Sequence, residues 1–130
     1  MGTRSLTIVK KSDLKSNNCV VMYRQYDGYV QGGHGEELYD FLKNKSLVNG
    51  FGSGDNSNYF NGMGCLSAAL VANFKQGIGG IYLHATDNSN YIDYVYTIYT
   101  KNDTDILVKI ERGDNIIYDG DINNMLSCDD

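Results

Sequence analysis

Proline and tryptophan are absent from this chain, and histidine, cysteine and arginine are nearly so, at two, three and three residues in 130. Each shortage excludes something. With only His34 and His84, the ordinary zinc ligand sets cannot be assembled, and neither H-E-x-x-H nor a close cysteine pair occurs. No metal and no cofactor is therefore expected. Cys19, Cys65 and Cys128 lie far apart and make an odd total, which predicts free thiols in a reducing compartment. No apolar run reaches the roughly 18 residues that a membrane span requires, so no membrane partner is expected. The opening residues, Met1-Gly2-Thr3-Arg4-Ser5-Leu6, lack the apolar stretch of a secretory leader, and a cytoplasmic protein is predicted. The formal charge is −5, and Arg4, Arg24 and Arg112 form no basic stripe along the sequence. A DNA or RNA duplex is accordingly not an expected partner. A small anion is different, because one arginine and a few backbone N–H groups can hold it.

What is present suits one small domain spanning residues 1–130, large enough to bury roughly two-thirds of the surface of its unfolded chain. Residues 6–10 and 19–26 alternate as strands, and Leu6 and Ile8 can face Val21 and Tyr23 in a hairpin. A first helix is predicted over 36–44, where Leu38, Phe41 and Leu42 make a stripe and Glu36 and Glu37 suit the positive end. Glycines 50, 52 and 54 suggest a mobile connection. The second helix, 65–75, places Leu66, Ala69, Leu70 and Phe74 on one face, with Asn61 as a candidate cap. Strands follow over 81–85, 92–100, 105–112 and 116–118, and Ile92, Tyr94, Tyr96 and Ile98 can share an inner face with Ile106, Val108 and Ile110. The tail from about 119 is expected to fray, with a short helix near 122–126. The fold class is α+β: a mostly antiparallel sheet of about five to six strands, with two helices inserted after the second.

Four candidate chemistries arise. Asp119-Gly-Asp121-Ile-Asn123 starts like a calcium loop, but Asn124 stands where glycine is needed and the closing glutamate is missing, so solvated carboxylates explain it better. Residues 27–35, Asp-Gly-Tyr-Val-Gln-Gly-Gly-His-Gly, lead from a strand into a helix, yet fit neither G-x-G-x-x-G nor a P-loop. A polar-ligand nest at the helix start remains open beside the plainer reading of glycines needed for turns. Cys65 near a helix start, followed by His84 on a strand with Asp93 as orienting group, has the order of a papain-like thiol hydrolase. His34 is the alternative partner for that thiol, and Cys65 as a small buried hydrophobe is the bland alternative. The fourth cluster joins Arg24, Tyr26, Asp27, Tyr29 and His34 to the turn Asn61-Gly62-Met63-Gly64. Arg24 stands on an apolar strand face, so it either pairs with Asp27 or Asp40 as structural glue or clamps an anion beside the tyrosines.

The runs Val21-Met-Tyr-Arg-Gln-Tyr-Asp-Gly-Tyr-Val-Gln-Gly-Gly-His-Gly-Glu-Glu-Leu38, Asn61-Gly-Met-Gly-Cys-Leu-Ser-Ala-Ala-Leu70 and Gly79-Gly-Ile-Tyr-Leu-His84 resemble a family of small proteins carried by bacteriophages, bacteria and some large viruses. The resemblance extends from Thr3 to about Tyr96, departing at Val30-Gln31, where the family has proline-serine, and after Leu83, where it is more aromatic. It brings no catalytic residues with it. It implies a phage anti-defence role in the host cytoplasm, such as a sponge for cyclic-nucleotide immune signals, by analogy of setting only.

Taken together, the sequence favours a non-catalytic binder of a small polar, nucleotide-like ligand through Arg24, Tyr26, Tyr29, His34, Asn61, Gly62 and Gly64. Homo-oligomerisation is expected from tyrosines at outer sheet positions, notably Tyr91 and Tyr99. The alternatives are a hydrolase using Cys65, His84 and Asp93, and a protein-interaction module that inhibits a host partner.

Overall fold

The computed structural model describes residues 2–50 and 58–128, so Gly52 and Gly54 of the glycine-spaced connection lie outside the described residues. In chain order the elements are β1 (Ser5–Lys10), β2 (Asn18–Arg24), α1 (His34–Leu42), β3 (Ser46–Val48), β4 (Tyr59–Asn61), α2 (Gly62–Phe74), β5 (Ile81–Leu83), β6 (Tyr94–Tyr99), β7 (Leu107–Arg112) and β8 (Asn115–Asp121), then a 3-10 helix, Ile122–Ser127. Six strands form one sheet in the order β5-β2-β1-β6-β7-β8. Every neighbouring pair is antiparallel except β1 and β6. The chain is thus α+β, with a mostly antiparallel sheet and both helices inserted after β2, as the periodicity predicts.

The expected hairpin forms with the expected facing pairs, Leu6 opposite Tyr23 and Ile8 opposite Val21. Alternation then splits the sheet into two faces. Val9, Met22, Tyr96, Ile98, Val108 and Ile110 face the helices, where Leu38 and Leu42 of α1 and Leu66 and Leu70 of α2 bury against them. Leu6, Ile8 and Val21 make a smaller core on the opposite face, covered in part by Tyr23, Ile92 and Val95. Because β1 is central and covered on both sides, Ser5 to Val9 are all buried.

Several boundaries moved for identifiable reasons. The second helix starts at Gly62, three residues before the predicted start, because Met63 continues the stripe through Leu66, Ser67 and Leu70 and is buried with them. Asn61 makes no side-chain cap there; its Oδ1 accepts the Gly50 N–H at 2.7 Å. The short parallel pair β3–β4, which three-residue strands announce poorly, was not expected. The short helix expected near 122–126 forms as the 3-10 helix Ile122–Ser127, and residues 119–121 complete β8 rather than fray, so that Ile122 and Met125 enter the core. Asp121 caps that helix by accepting the Asn123 N–H at 2.8 Å. No group of three or more metal-capable His, Cys, Asp or Glu side chains occurs among the described residues. None of the described helices is long and apolar enough to cross a membrane. Tyr91 is 88% exposed, but Tyr99 is buried, its phenol donating to Asp119, so Tyr99 offers no outer surface. Burial, followed by the bond to that carboxylate, raises its pKa well above the usual phenol value.

Candidate functional site at one end of the sheet

Register determines which side chains meet. Ser5 lies opposite Arg24 on β2 and Tyr94 on β6, and Tyr94 lies opposite Arg112 on β7. Arg24, Ser5, Tyr94 and Arg112 therefore form one row across four adjacent strands on the helix-covered face, at its edge. Arg4 immediately precedes β1. All three arginines of the chain are thus gathered at one end of the sheet.

The glycine-rich segment folds over this row and uses up its own donors. The N–H groups of His34, Gly35 and Glu36 go to the carbonyls of Asp27, Tyr29 and Val30 at 2.6, 3.2 and 2.9 Å. An anion nest at the start of α1 is excluded, because these first-turn donors point back into the loop rather than outward. Close approach explains the glycines instead: a Cβ at Gly33 would stand 2.5 Å from the Tyr29 carbonyl, and one at Gly35 2.7 Å from the Val30 Cα. The Tyr96 hydroxyl fastens the loop to the sheet by donating to the Gly28 carbonyl at 2.7 Å.

His34 lies under that loop with no exposed surface, between the rings of Phe74 and Tyr96. Its Nδ1 is 3.2 Å from Arg24 Nη1 and its Nε2 is 2.7 Å from Thr7 Oγ1. Arginine can only donate, so Nδ1 carries the lone pair, and Nε2–H donates to the threonine. Burial, with the Arg24 charge adding to it, lowers the imidazole pKa to about 3. His34 is consequently neutral, fully bonded and out of reach of ligand or thiol. This corrects its expected place in a binding site.

Arg24 completes the same unit. Its Nη1 also meets Glu37 Oε2 at 2.7 Å, so neither Asp27 nor Asp40 is its partner. The reason is helical spacing: α1 begins at His34, and residues three apart lie on one side of it, which brings His34 and Glu37 together against β2. Asp40 pairs with Lys43 at 3.6 Å, and Asp27 accepts from the Tyr29 hydroxyl at 3.2 Å.

Two clefts open beside this unit. The smaller, about 380 Å³, is lined by Arg24, Tyr26, Asp27, Glu37, Asn73 and Gln76, so two carboxylates outnumber one guanidinium. The larger, about 1130 Å³, is lined by Arg4, Tyr29, Tyr91, Asp93, Tyr94 and Arg112 among others. There Arg4 Nη1 donates to the Tyr91 carbonyl at 3.4 Å, and the Arg112 guanidinium lies 5.7 Å from the centre of the Tyr94 ring. The Tyr29 phenol titrates above its ordinary value because of its bond to Asp27.

The remaining expected residues do not join this end. Phe74 and Asn73, at the C-terminus of α2, meet the Arg24 unit, whereas Asn61, Gly62 and Gly64 are at the other end of a 13-residue helix, about 18 Å away along its axis. Cys65 is exposed on that distant first turn. His84 stacks on Tyr23 at 5.1 Å, on the face of the sheet turned away from both helices. Asp93 accepts the backbone N–H of Arg4 at 2.8 Å. Cys65, His84 and Asp93 are thus not assembled. Alkylation of Cys65 by iodoacetamide should proceed at the same rate in wild type and in His84→Ala; a large slowing in the variant would show a thiol–imidazole pair after all.

Arg4 and Arg112 are the residues that sequence reasoning missed. Their scarcity was a signal, but their meeting depends on β6 pairing with β1, a long-range choice that local periodicity does not encode. Comparison with family models, with curated proteins and with solved structures finds no match.

Proposed function

We propose that the protein binds a small polar, nucleotide-like ligand without transforming it, in the larger cleft at the arginine-bearing end of the sheet. One observation carries this reading: the exposed Tyr29 and Tyr91 line the same cleft as two of the three arginines. Tyrosine rings offer a base broad contact at low entropic cost, and their hydroxyls accept polar edges. Within this reading Arg24, Tyr26 and His34 serve the site from behind: His34 and Arg24 tie α1 to β2, and the loop that begins at Tyr26 delivers Tyr29 to the cleft wall. The phage-borne family that the motifs resemble supports a sequestration role, such as a sponge for host immune signals, acting in the host cytoplasm as a homo-oligomer.

A second reading rests on a different surface. Ile78, Tyr82 and Leu83 are exposed along the β5 edge, with Tyr26 nearby, and such a patch also suits a protein partner. Native mass spectrometry of freshly purified protein separates the two. The ligand reading expects more than one subunit and a retained small phosphorylated molecule, or a nucleotide that raises the melting temperature at millimolar concentration. A bare polypeptide that no nucleotide stabilises would transfer the assignment to the β5 surface.

A further inference from the structure

We infer that the larger cleft selects a base carrying an exocyclic amino group, and that Asp27 sets this preference by fixing Tyr29 as a hydrogen-bond acceptor. The inference rests on the ligand-binding reading above and narrows it to one class of base.

A tyrosine hydroxyl has a single proton to donate and lone pairs that accept. Left to itself it turns to suit either kind of partner, so a lone tyrosine does not discriminate between them. Tyr29 is not left to itself. Its hydroxyl donates to Asp27 Oδ1 at 3.2 Å, and an ionised carboxylate is a stronger acceptor for that proton than a neutral group. The same bond is the largest cause of the raised phenol pKa, so the oxygen keeps its proton and keeps it turned toward Asp27. Only lone pairs then face a ligand.

The backbone holds both ends of that bond. Asp27 sits at a φ of 58°, in the left-handed region, with its carbonyl accepting the His34 N–H at 2.6 Å. The next residue, Gly28, donates its N–H to the Thr3 carbonyl at 2.9 Å. The Tyr29 ring lies against the chain at Gly33, where an added Cβ would stand 2.6 Å from Tyr29 Cδ2. Both side chains are therefore placed before a ligand arrives, and little entropy is lost on binding. Asp27 lines the smaller cleft and Tyr29 the larger, so the carboxylate acts from behind and leaves the ligand's space open.

Asp93 adds a second acceptor of the same kind. It lines the larger cleft, its Oδ2 accepts the Arg4 backbone N–H at 2.8 Å, and an ionised carboxylate has nothing to donate. A base whose edge offers N–H groups meets complementary partners here. A base with a carbonyl in that place sets oxygen against oxygen and gives up water without gaining a bond. Adenine and cytosine carry the amino group, whereas hypoxanthine and uracil carry a carbonyl at the corresponding carbon. In this scheme Tyr29 touches the ligand and Asp27 is a positioning residue.

Isothermal titration calorimetry tests it with adenosine against inosine 5′-monophosphate, and cytidine against uridine 5′-monophosphate. Sugar and phosphate are common to each pair, so the affinity ratio reports the base. The wild type should bind the amino member of each pair about five- to tenfold more tightly, the worth of one hydrogen bond. Tyr29→Phe keeps the ring and removes the acceptor, and the ratio should fall to about twofold, the remainder set by Asp93. Asp27→Gly tolerates the left-handed backbone and releases the Tyr29 hydroxyl to donate, so the carbonyl bases should gain affinity and the ratio should again fall to about twofold. A merely structural role for Asp27 would weaken all four nucleotides alike and leave the ratio unchanged. Melting curves check folding, and Tyr29→Phe at its exposed position decides the matter even where Asp27→Gly does not fold. Equal or reversed affinities within the pairs in wild type would overturn the amino preference and leave the ligand site standing. A wild-type preference that persists in the variants would remove Tyr29 and Asp27 as its source. No binding of any of these nucleotides at millimolar concentration would overturn the preference and the ligand reading together.

Discussion

Replacing His34 with glutamine should lower stability by about 2–3 kcal/mol near neutral pH, as judged by chemical denaturation. The imidazole has no exposed surface, bonds at both nitrogens, and packs between Phe74 and Tyr96. Glutamine can accept from Arg24 or donate to Thr7, but leaves part of the ring volume empty and at least one bond poorly aligned. His34→Ala, which vacates the site altogether, should cost about 3–5 kcal/mol.

The same residue predicts a pH dependence with a definite sign. Its pKa is about 3 in the folded protein, against an ordinary value of 6.5. Below about 6.5 the unfolded chain takes up a proton that the folded chain refuses, so stability is complete above that pH and drains as pH falls toward 3. The loss approaches about 1.4 kcal/mol per pH unit within the window. His34→Gln cannot titrate, so the gap between wild type and variant should shrink steadily from about pH 6.5 and nearly close by about pH 4.5. Parallel curves across that range would show that the imidazole is not held neutral by burial.

Arg24→Lys is the second large effect. If Arg24 were a ligand contact, the lysine variant would fold almost as well as wild type. The structure instead has Nη1 meeting both Glu37 and His34, on a side chain only 17% exposed. A lysine ammonium is round, shorter in reach and more strongly hydrated, and cannot reproduce both contacts from one plane. Stability should fall by about 1–2 kcal/mol, a value kept below that of a fully buried pair because Glu37 is half-exposed. Nucleotide affinity, once the variant is confirmed folded, should change little. An unchanged melting temperature with tenfold weaker nucleotide binding would return Arg24 to the ligand.

Both predictions depend on contacts that the sequence revealed only halfway. The odd position of Arg24 on an apolar face was visible, and so was the need for a partner, because a lone buried guanidinium is very costly. Which partner it takes depended on where α1 begins. Moving that start from Glu36 to His34 brings His34 and Glu37 under Arg24 and leaves Asp40 to Lys43. Ile92 precedes β6 and packs against the core on the opposite face, but the Leu6/Tyr23 and Ile8/Val21 hairpin and the inner face of Tyr94, Tyr96 and Ile98 were legible because period-two patterning acts locally. The parallel β1–β6 pair was not, since it joins segments some ninety residues apart and no local pattern selects it. That pair is what places Tyr94 beside Ser5 and carries Arg112 to the end of the sheet where Arg4 waits. For the glycine segment 27–35 the two readings offered by the sequence, a polar-ligand nest and glycines needed for turns, are separated by the fold: those glycines make room for neighbouring carbonyls, Val30 and the Tyr96 hydroxyl.

Amide chemical-shift mapping in solution tests the central claim most directly. Titration of the isotopically labelled protein with a nucleoside 5′-monophosphate should move resonances of Thr3 to Ser5, Tyr29, Tyr91 to Tyr94 and Gly113 to Asn115. Amides of Gly64 and Cys65 on the far turn of α2, and of Lys101 at the other end of the sheet, should stay in place. Shifts confined to Ile78–Leu83 or to the start of α2, or none at millimolar nucleotide, would contradict a ligand site at the arginine-bearing end.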